Sequence, residues 1–550
     1  NQRPCQLHYF SPPSPSPNPS SSSSLPCNSP ITLLLLNNMF SILSLLFTLS
    51  LLPLSLSQSQ SPPIKSTLIN CGATTSSLIS NRSWDPDTKY ISTGTPINLT
   101  QPTFSPTLST VRSFPLIQTN LRRPKFCYVV PVYRTGKYLV RTTYYYHGGL
   151  NRLGEIPPVF DQIVDGSLWS VVNTTEDYVK GNASYYEGVF KATGKSMSVC
   201  LAANQDTVSD LFISALEFVL LANSVYNSTG FDDSSLRLVA RHSFGYNGSI
   251  VSYPDDKFDR YWEPYGETNP TVSRGANVLI NGFWNLPPLK VFQTQLTDNQ
   301  LKPMELQWPR EPLRNSVYYI ALYFADDSGT SSRFMNITIN NVTFYDNLRV
   351  PQTGVALFAN RWPLAGPTKI VLTPAAGSTL GPLINGGELF EVIPVGGRTH
   401  TRDLIGLDGL KNSFRNPPFD WNGDPCLPKE NSWTGITCSD GSNIRVTGLN
   451  LTGMGLSGSL SPNVANLTAL NDLWLGNNNL SGSIPDLSTL KMLKTVHLED
   501  NRFNGPFPSS LANIDRLQEL FLQNNNLTGQ VPSSLKAKLG SNLIVDPQNS

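Results

Sequence analysis

The sequence predicts a multidomain chain in which two all-β sandwiches in tandem precede a short α/β solenoid. Three observations carry this prediction. A pattern of spaced leucines recurs four times between Val446 and Gly540. Short alternating or β-branched runs, cut by Gly, Pro, Asn and Asp, fill residues 64 to 398. No long helical period interrupts those runs, so many short strands must build the cores there.

At 550 residues the chain is long enough for several domains. Lys and Arg number 40 against 39 Asp and Glu, with no basic block and no acidic tail, which disfavours nucleic-acid binding. Residues 1–38 are rich in Pro, Ser and Asn and are expected to be low-complexity sequence upstream of the true start or removed. Met39 then opens an apolar run to Ser57 that ends in small residues, the shape of a secretory signal peptide over 39–58, although it lacks a positive leading segment. A membrane anchor beginning at Ile31 is disfavoured, because Asn37-Asn38 and Pro53 break the longer run. Export agrees with twelve N-x-[ST] acceptors: Asn81, Asn98, Asn173, Asn182, Asn227, Asn247, Asn336, Asn341, Asn450, Asn466, Asn479 and Asn526.

Between 64 and 398, runs such as Lys137–Tyr146 and Ser316–Phe324 read as strands, and Leu211–Leu221 reads as strand in preference to helix. Some 335 residues exceed one sandwich. The region is therefore divided near Ser243 into halves 64–242 and 243–398. Residues 399–445 follow, with Leu404, Leu407, Leu410 and Phe414 on one helical face and then Trp421-Asn-Gly-Asp-Pro-Cys426 and Trp433-Thr-Gly-Ile-Thr-Cys438. The repeats fill 446–540, starting at Val446, Leu470, Leu493 and Leu517 with spacings of 24, 23 and 24 residues. That period is the leucine-rich-repeat period. The triplets Val446/Leu449/Leu451, Leu470/Leu473/Leu475, Leu493/Val496/Leu498 and Leu517/Leu520/Leu522 point into a shared core. Asn478, Asn501 and Asn525 stand where the chain turns and an amide can satisfy buried backbone. Met454 takes that place in the first repeat. Residues 541–550 read as a tail.

Several ordered motifs carry a family resemblance. Ile69-Asn-Cys-Gly72, Phe126-Cys-Tyr128, Gly136–Arg141, Val199-Cys-Leu201 and Phe212–Glu217 resemble the first half of plant malectin-like ectodomains. Asp259-Arg-Tyr-Trp262, Tyr318–Asp326, Pro382–Glu388 and Phe390–Ile393 resemble the second half. The two-tryptophan, two-cysteine segment resembles the amino-terminal cap of plant leucine-rich repeats. The whole is similar to plant malectin-like/leucine-rich-repeat receptor-like proteins. The resemblance implies tandem malectin-like jelly-roll sandwiches followed by the α/β leucine-rich-repeat solenoid. It also implies a non-catalytic ectodomain at the cell surface or in the apoplast, with any membrane attachment through a segment that these residues do not contain. Neither a kinase glycine loop nor a kinase catalytic-loop signature occurs in the chain.

Five cysteines follow the leader. Compartment and spacing predict Cys426–Cys438, and Cys127–Cys200 with Cys71 unpaired and buried, the alternative being a bridge from Cys71 to Cys127 or Cys200. No catalytic constellation is present: the histidines are scattered, and Asp255-Asp256 and Asp326-Asp327 read as solvated loops, so hydrolysis is only a weak rival reading. No cofactor and no metal is expected. Tyr144, Tyr145, Tyr146 and His147 are the candidate saccharide site. The outward residues Asn450, Trp474, His497 and Phe521 form one column on the concave face of the repeats, with Asp472, Glu499 and Glu519 as a rim. That column is the expected contact for an extracellular peptide or receptor co-partner, with a cell-wall saccharide as a further candidate ligand. A secreted inhibitor of wall-degrading enzymes is the alternative.

Overall fold

The structure is a computed structural model and describes residues 8–9, 66–99, 108–116, 125–146, 157–266, 271–274, 282–298, 300–326, 328–329 and 332–549. The expected leader at 39–58 lies outside the described residues, as does all of 1–38 except 8–9. Among the described residues no helix is long and apolar enough to cross a membrane.

One large sheet runs through both halves of the malectin-like region. Its order includes Val355–Gly366, Leu313–Phe324, Gly386–Pro394, Ser234–Phe244, Ser184–Lys191, Lys137–Tyr144, Ala215–Leu220 and Ser66–Asn70. Both faces are covered, because successive side chains leave a strand on opposite sides. In Leu313–Phe324, Tyr318, Ile320, Leu322 and Phe324 enter the core of the second half, while Tyr319, Ala321 and Tyr323 enter a core shared by both halves. In Lys137–Tyr144, Tyr138, Val140 and Tyr144 enter the core of the first half and Leu139 enters the shared one. Double coverage explains why residues 318–324 are apolar at every position.

Smaller sheets close each half. Ser167–Asn173, Val159–Val164, Ser196–Ala203 and Lys125–Pro131 cover the first; Met304–Gln307, Lys369–Pro374, Phe334–Ile339 and Val342–Arg349 cover the second. The division at Ser243 needs correction. It falls inside Ser234–Phe244, which pairs with Gly188 and Val189 on one side and with Gly386–Pro394 on the other. The halves share a strand there, so no linker separates them. Cys127 and Cys200 face each other across paired strands and are bonded, and Cys71 is a buried free thiol.

The helix expected after residue 399 spans Thr401–Ser413 and buries Leu407 and Leu410, with Phe414 buried just beyond its end. Trp421 and Trp433 stack at 5.2 Å between centroids, and the Cys426–Cys438 bond ties their loops. This cap covers the first coil. The concave sheet then runs in parallel through Val446–Asn450, Asp472–Trp474, Thr495–His497 and Glu519–Phe521. All twelve triplet residues are buried and belong to one core. The residues before the ladder asparagines, Asn477, Asp500 and Asn524, adopt φ of 57°, 52° and 57°, a left-handed turn that Asn and Asp tolerate. The described part of the expected tail, 541–549, instead begins another coil. Leu543–Ile544 pairs in parallel with Glu519–Phe521, and Asp546 accepts hydrogen bonds from the amides of Asn524 and Asn525. Leu543 and Val545 pack against the repeat core, which is the physical reason the segment folds.

The first malectin-like half docks on the cap. Lys125 donates from Nζ to the carbonyls of Asp424 and Leu427, Phe126 stacks on Phe419 at 6.1 Å, and Gly423 lies on the Cys127–Cys200 bond. A Cβ at Gly423 would fall 2.8 Å from Cys127 Sγ, and φ there is +70°. Close by, Asp165 accepts from Ser198 N at 2.7 Å and from Ser198 Oγ at 3.1 Å. Burial pushes its carboxyl up to about 6, against those hydrogen bonds and with help from the Asp424 charge. A carboxyl raised on folding lends stability that is complete below its unfolded value near 4 and is lost as pH climbs through 6. Wild-type stability should therefore fall by up to about 3 kcal/mol between pH 4 and 6.5 from this group. Calorimetric melting should show that fall reduced in Asp165→Asn. An unchanged slope in the variant contradicts the assignment.

Candidate ligand-binding face

The strand register puts Asn450, Trp474, His497 and Phe521 side by side, and it continues to Ile544. Sequence reasoning missed Ile544 because its strand was taken for tail; the signal was Leu543, 23 residues after Leu520. Trp474 and His497 stack at 5.2 Å and 9°, and His497 and Phe521 at 4.4 Å and 16°. The planes lie nearly parallel, so the rings cover one another's faces and turn their edges to solvent. All three remain half-buried.

The acidic residues do not stand as a free rim. Trp474 Nε1 donates to Thr495 Oγ1 at 2.6 Å, and Thr495 Oγ1 donates to Asp472 Oδ1 at 2.8 Å. His497 Nε2 lies 3.2 Å from Glu519 Oε2, close enough for an ion pair but not aligned for a hydrogen bond. Glu499 lies over Gly476, where an added Cβ would meet its Oε1 at 2.2 Å. Two neighbouring acceptors, Glu499 Oε2 and Gln523 Oε1, are buried and accept nothing. Acceptors left without a donor at a half-exposed surface call for one from water, an ion or another molecule.

The tyrosine cluster is different. Tyr144, Tyr145 and Tyr146 are buried, so their rings are not available as a saccharide platform. Tyr144 packs edge-on against Phe160, Tyr186 and Phe212 and donates to Gln162 Oε1 at 3.1 Å. The physical reason is that both faces of their sheet are covered. His147 lies outside the described residues. Half-exposed tyrosines stand elsewhere: Tyr185, Tyr186 and Tyr261 line a cleft of about 560 Å³ between the halves.

The carboxylate pairs also differ from the sequence reading. Asp256 is buried and bonded to Arg260 at 2.8 Å and to Trp262 Nε1 at 2.8 Å, and Asp326 is buried against Arg333 at 3.0 Å. Asp256 and Asp326 are structural ion pairs, not solvated loops, whereas Asp255 is exposed as expected, 2.8 Å from Lys290; Asp327 lies outside the described residues. Deeper between the halves, the Arg141 guanidinium meets Glu187 at 2.8 Å, Glu217 at 3.2 Å and Asp259 at 3.3 Å, with the Tyr261 ring 3.5 Å away. Burial lifts the Glu217 carboxyl to about 7, and Arg141 opposes that rise. Ten of the twelve N-x-[ST] asparagines are exposed, and Asn336 and Asn466 are half-buried.

Comparison with known proteins agrees with this architecture. The malectin-like domain model matches residues 69–392, the leucine rich repeat N-terminal domain model residues 400–439, and the leucine rich repeat model residues 516–537. A probable LRR receptor-like serine/threonine-protein kinase of Arabidopsis thaliana is 30% identical over 455 residues, covering 77% of this chain and 47% of that protein. A leucine-rich repeat receptor-like serine/threonine-protein kinase of the same plant is 30% identical over 363 residues, covering 63% of this chain and 40% of its own length. The chain thus spans less than half the length of these relatives. The solved ANX2 ectodomain from Arabidopsis thaliana aligns with 60% of this chain and 97% of its own at 16% identity and a TM-score of 0.49. The chain belongs to the malectin-like domain family, with a leucine-rich-repeat array following that domain.

Proposed function

We propose that this chain is a non-catalytic, receptor-type ectodomain. It works on the extracellular side of the secretory pathway, in the apoplast or at the outer face of the plasma membrane, and binds a peptide or co-receptor partner through the concave face of its repeats. The observation that carries the reading is the stack of Trp474, His497 and Phe521 beside two acceptors that nothing in the protein satisfies. Asp472, Glu499 and Glu519 stand beside the ring column, and Thr495 and Gln523 at neighbouring positions carry no positive charge, which favours a basic partner segment. Aromatic anchors of this kind dominate interface energy, at about 2 kcal/mol or more for each ring truncated.

The test is capture of extracellular partners by the wild-type protein and by a Trp474→Ala, Phe521→Ala double variant. Equal melting of the two must be shown first. The double variant is expected to lose the partner; retention of every partner places recognition elsewhere. Inhibition of a polygalacturonase by the wild-type protein in a simple assay would instead favour the inhibitor reading.

A further inference from the structure

We propose that Asn450 carries an N-linked glycan whose first sugar stacks on the outer face of Trp474. The proposal rests on the export reading above and narrows the surface assigned there. The inner face of the Trp474 indole is taken by His497. Its other face is on the side of the strand that carries Asn450, which is the register partner of Trp474 and has an exposed side chain. On the far side of Asn450 the adjoining residue is Gly435, whose carbonyl accepts from the Asn450 amide and which sends no side chain toward the concave face. Asn450 Oδ1 accepts from the amide of Thr452 at 3.2 Å, which leaves Nδ2 pointing away from that turn, and Thr452 is itself exposed.

Adjacent strands lie about 4.8 Å apart, which lets the C–H face of a pyranose chair on one strand lie against an indole on the next. In the transfer, Asn450 Nδ2 bonds to the anomeric carbon of a lipid-diphosphate oligosaccharide. The bond from that carbon to the diphosphate oxygen breaks, and the lipid diphosphate and one proton leave. The stacked N-acetylglucosamine then closes the first end of the ring column, so a partner meets Trp474 only at its exposed edge and runs on over His497 and Phe521 toward Ile544.

The experiment uses the full chain secreted from eukaryotic cells, with site mapping by mass spectrometry and hydroxyl-radical footprinting at single residues. Asn450 is expected to be occupied. Labelling of Trp474 should roughly double when the glycan is absent in Thr452→Ala, because one face of the ring is uncovered, while labelling of Phe521 stays the same. Endoglycosidase trimming of the native protein to its first sugar should keep Trp474 protected, and complete removal by peptide-N-glycosidase should expose it. An unmodified Asn450 on a protein glycosylated at Asn81 or Asn98 overturns this inference alone. Absence of glycan at every acceptor overturns it together with the export reading. An occupied Asn450 whose removal leaves Trp474 labelling unchanged overturns the stacking.

Discussion

Secretion of folded protein should collapse when Arg141 is replaced by methionine. Its guanidinium is fully buried and serves Glu187 and Glu217 of the first half and Asp259 of the second. Arg241 continues the network, 2.7 Å from Glu187 and 2.7 Å from Glu388. Removing one member of a buried charge network leaves the others uncompensated, at a cost of about 3–5 kcal/mol. That is a large part of the roughly 5–15 kcal/mol by which a domain is stable. Arg141→Lys should lie between, because an ammonium keeps the charge but cannot fork to several carboxylates. Secreted yield and calorimetric melting measure both variants. Wild-type melting in Arg141→Met would show that the halves are held by their apolar core alone.

Replacing Asn501 by alanine should cost the repeats about 3 kcal/mol or more, as four buried backbone groups lose their partner. Its Nδ2 donates to the carbonyls of Leu475, Leu498 and Glu499 at 2.9, 3.2 and 3.0 Å, and its Oδ1 accepts from Leu480 N at 3.0 Å. One side chain therefore ties its own coil to the one before it. Met454 stands at the matching place in the first repeat and is 42% exposed, so Met454→Ala should change stability by no more than about 0.5 kcal/mol. Urea unfolding of the two variants gives the comparison. Equal midpoints would mean that the ladder contributes nothing beyond chain geometry.

The repeats were legible because their period fixes both burial and direction. Leu473 and Trp474 are neighbours in sequence, yet one enters the core and the other faces the concave side, as spacing alone predicts. The same reasoning failed at Tyr144–Tyr146, since alternation shows that a strand has two faces but not that both are covered. It also missed the role of Arg141, Glu217, Asp259 and Glu388. These residues lie in the motifs that carry the family resemblance, hundreds of positions apart in part, and only the fold joins them into one ion-pair network. Residues 541–549 were misread because their strand is only two residues long, too short to display the leucine pattern.

The reading of the concave face as the binding surface is tested most directly by placing a photo-crosslinking amino acid at Ile544 in one sample and at Val342 in another. Ile544 ends the ring column and is 41% exposed, whereas Val342 is 57% exposed on the second malectin-like half. With the captured partner present, adducts are expected from position 544 and none from position 342. Adducts from position 342 alone, or from neither position, contradict the concave face as the site of recognition.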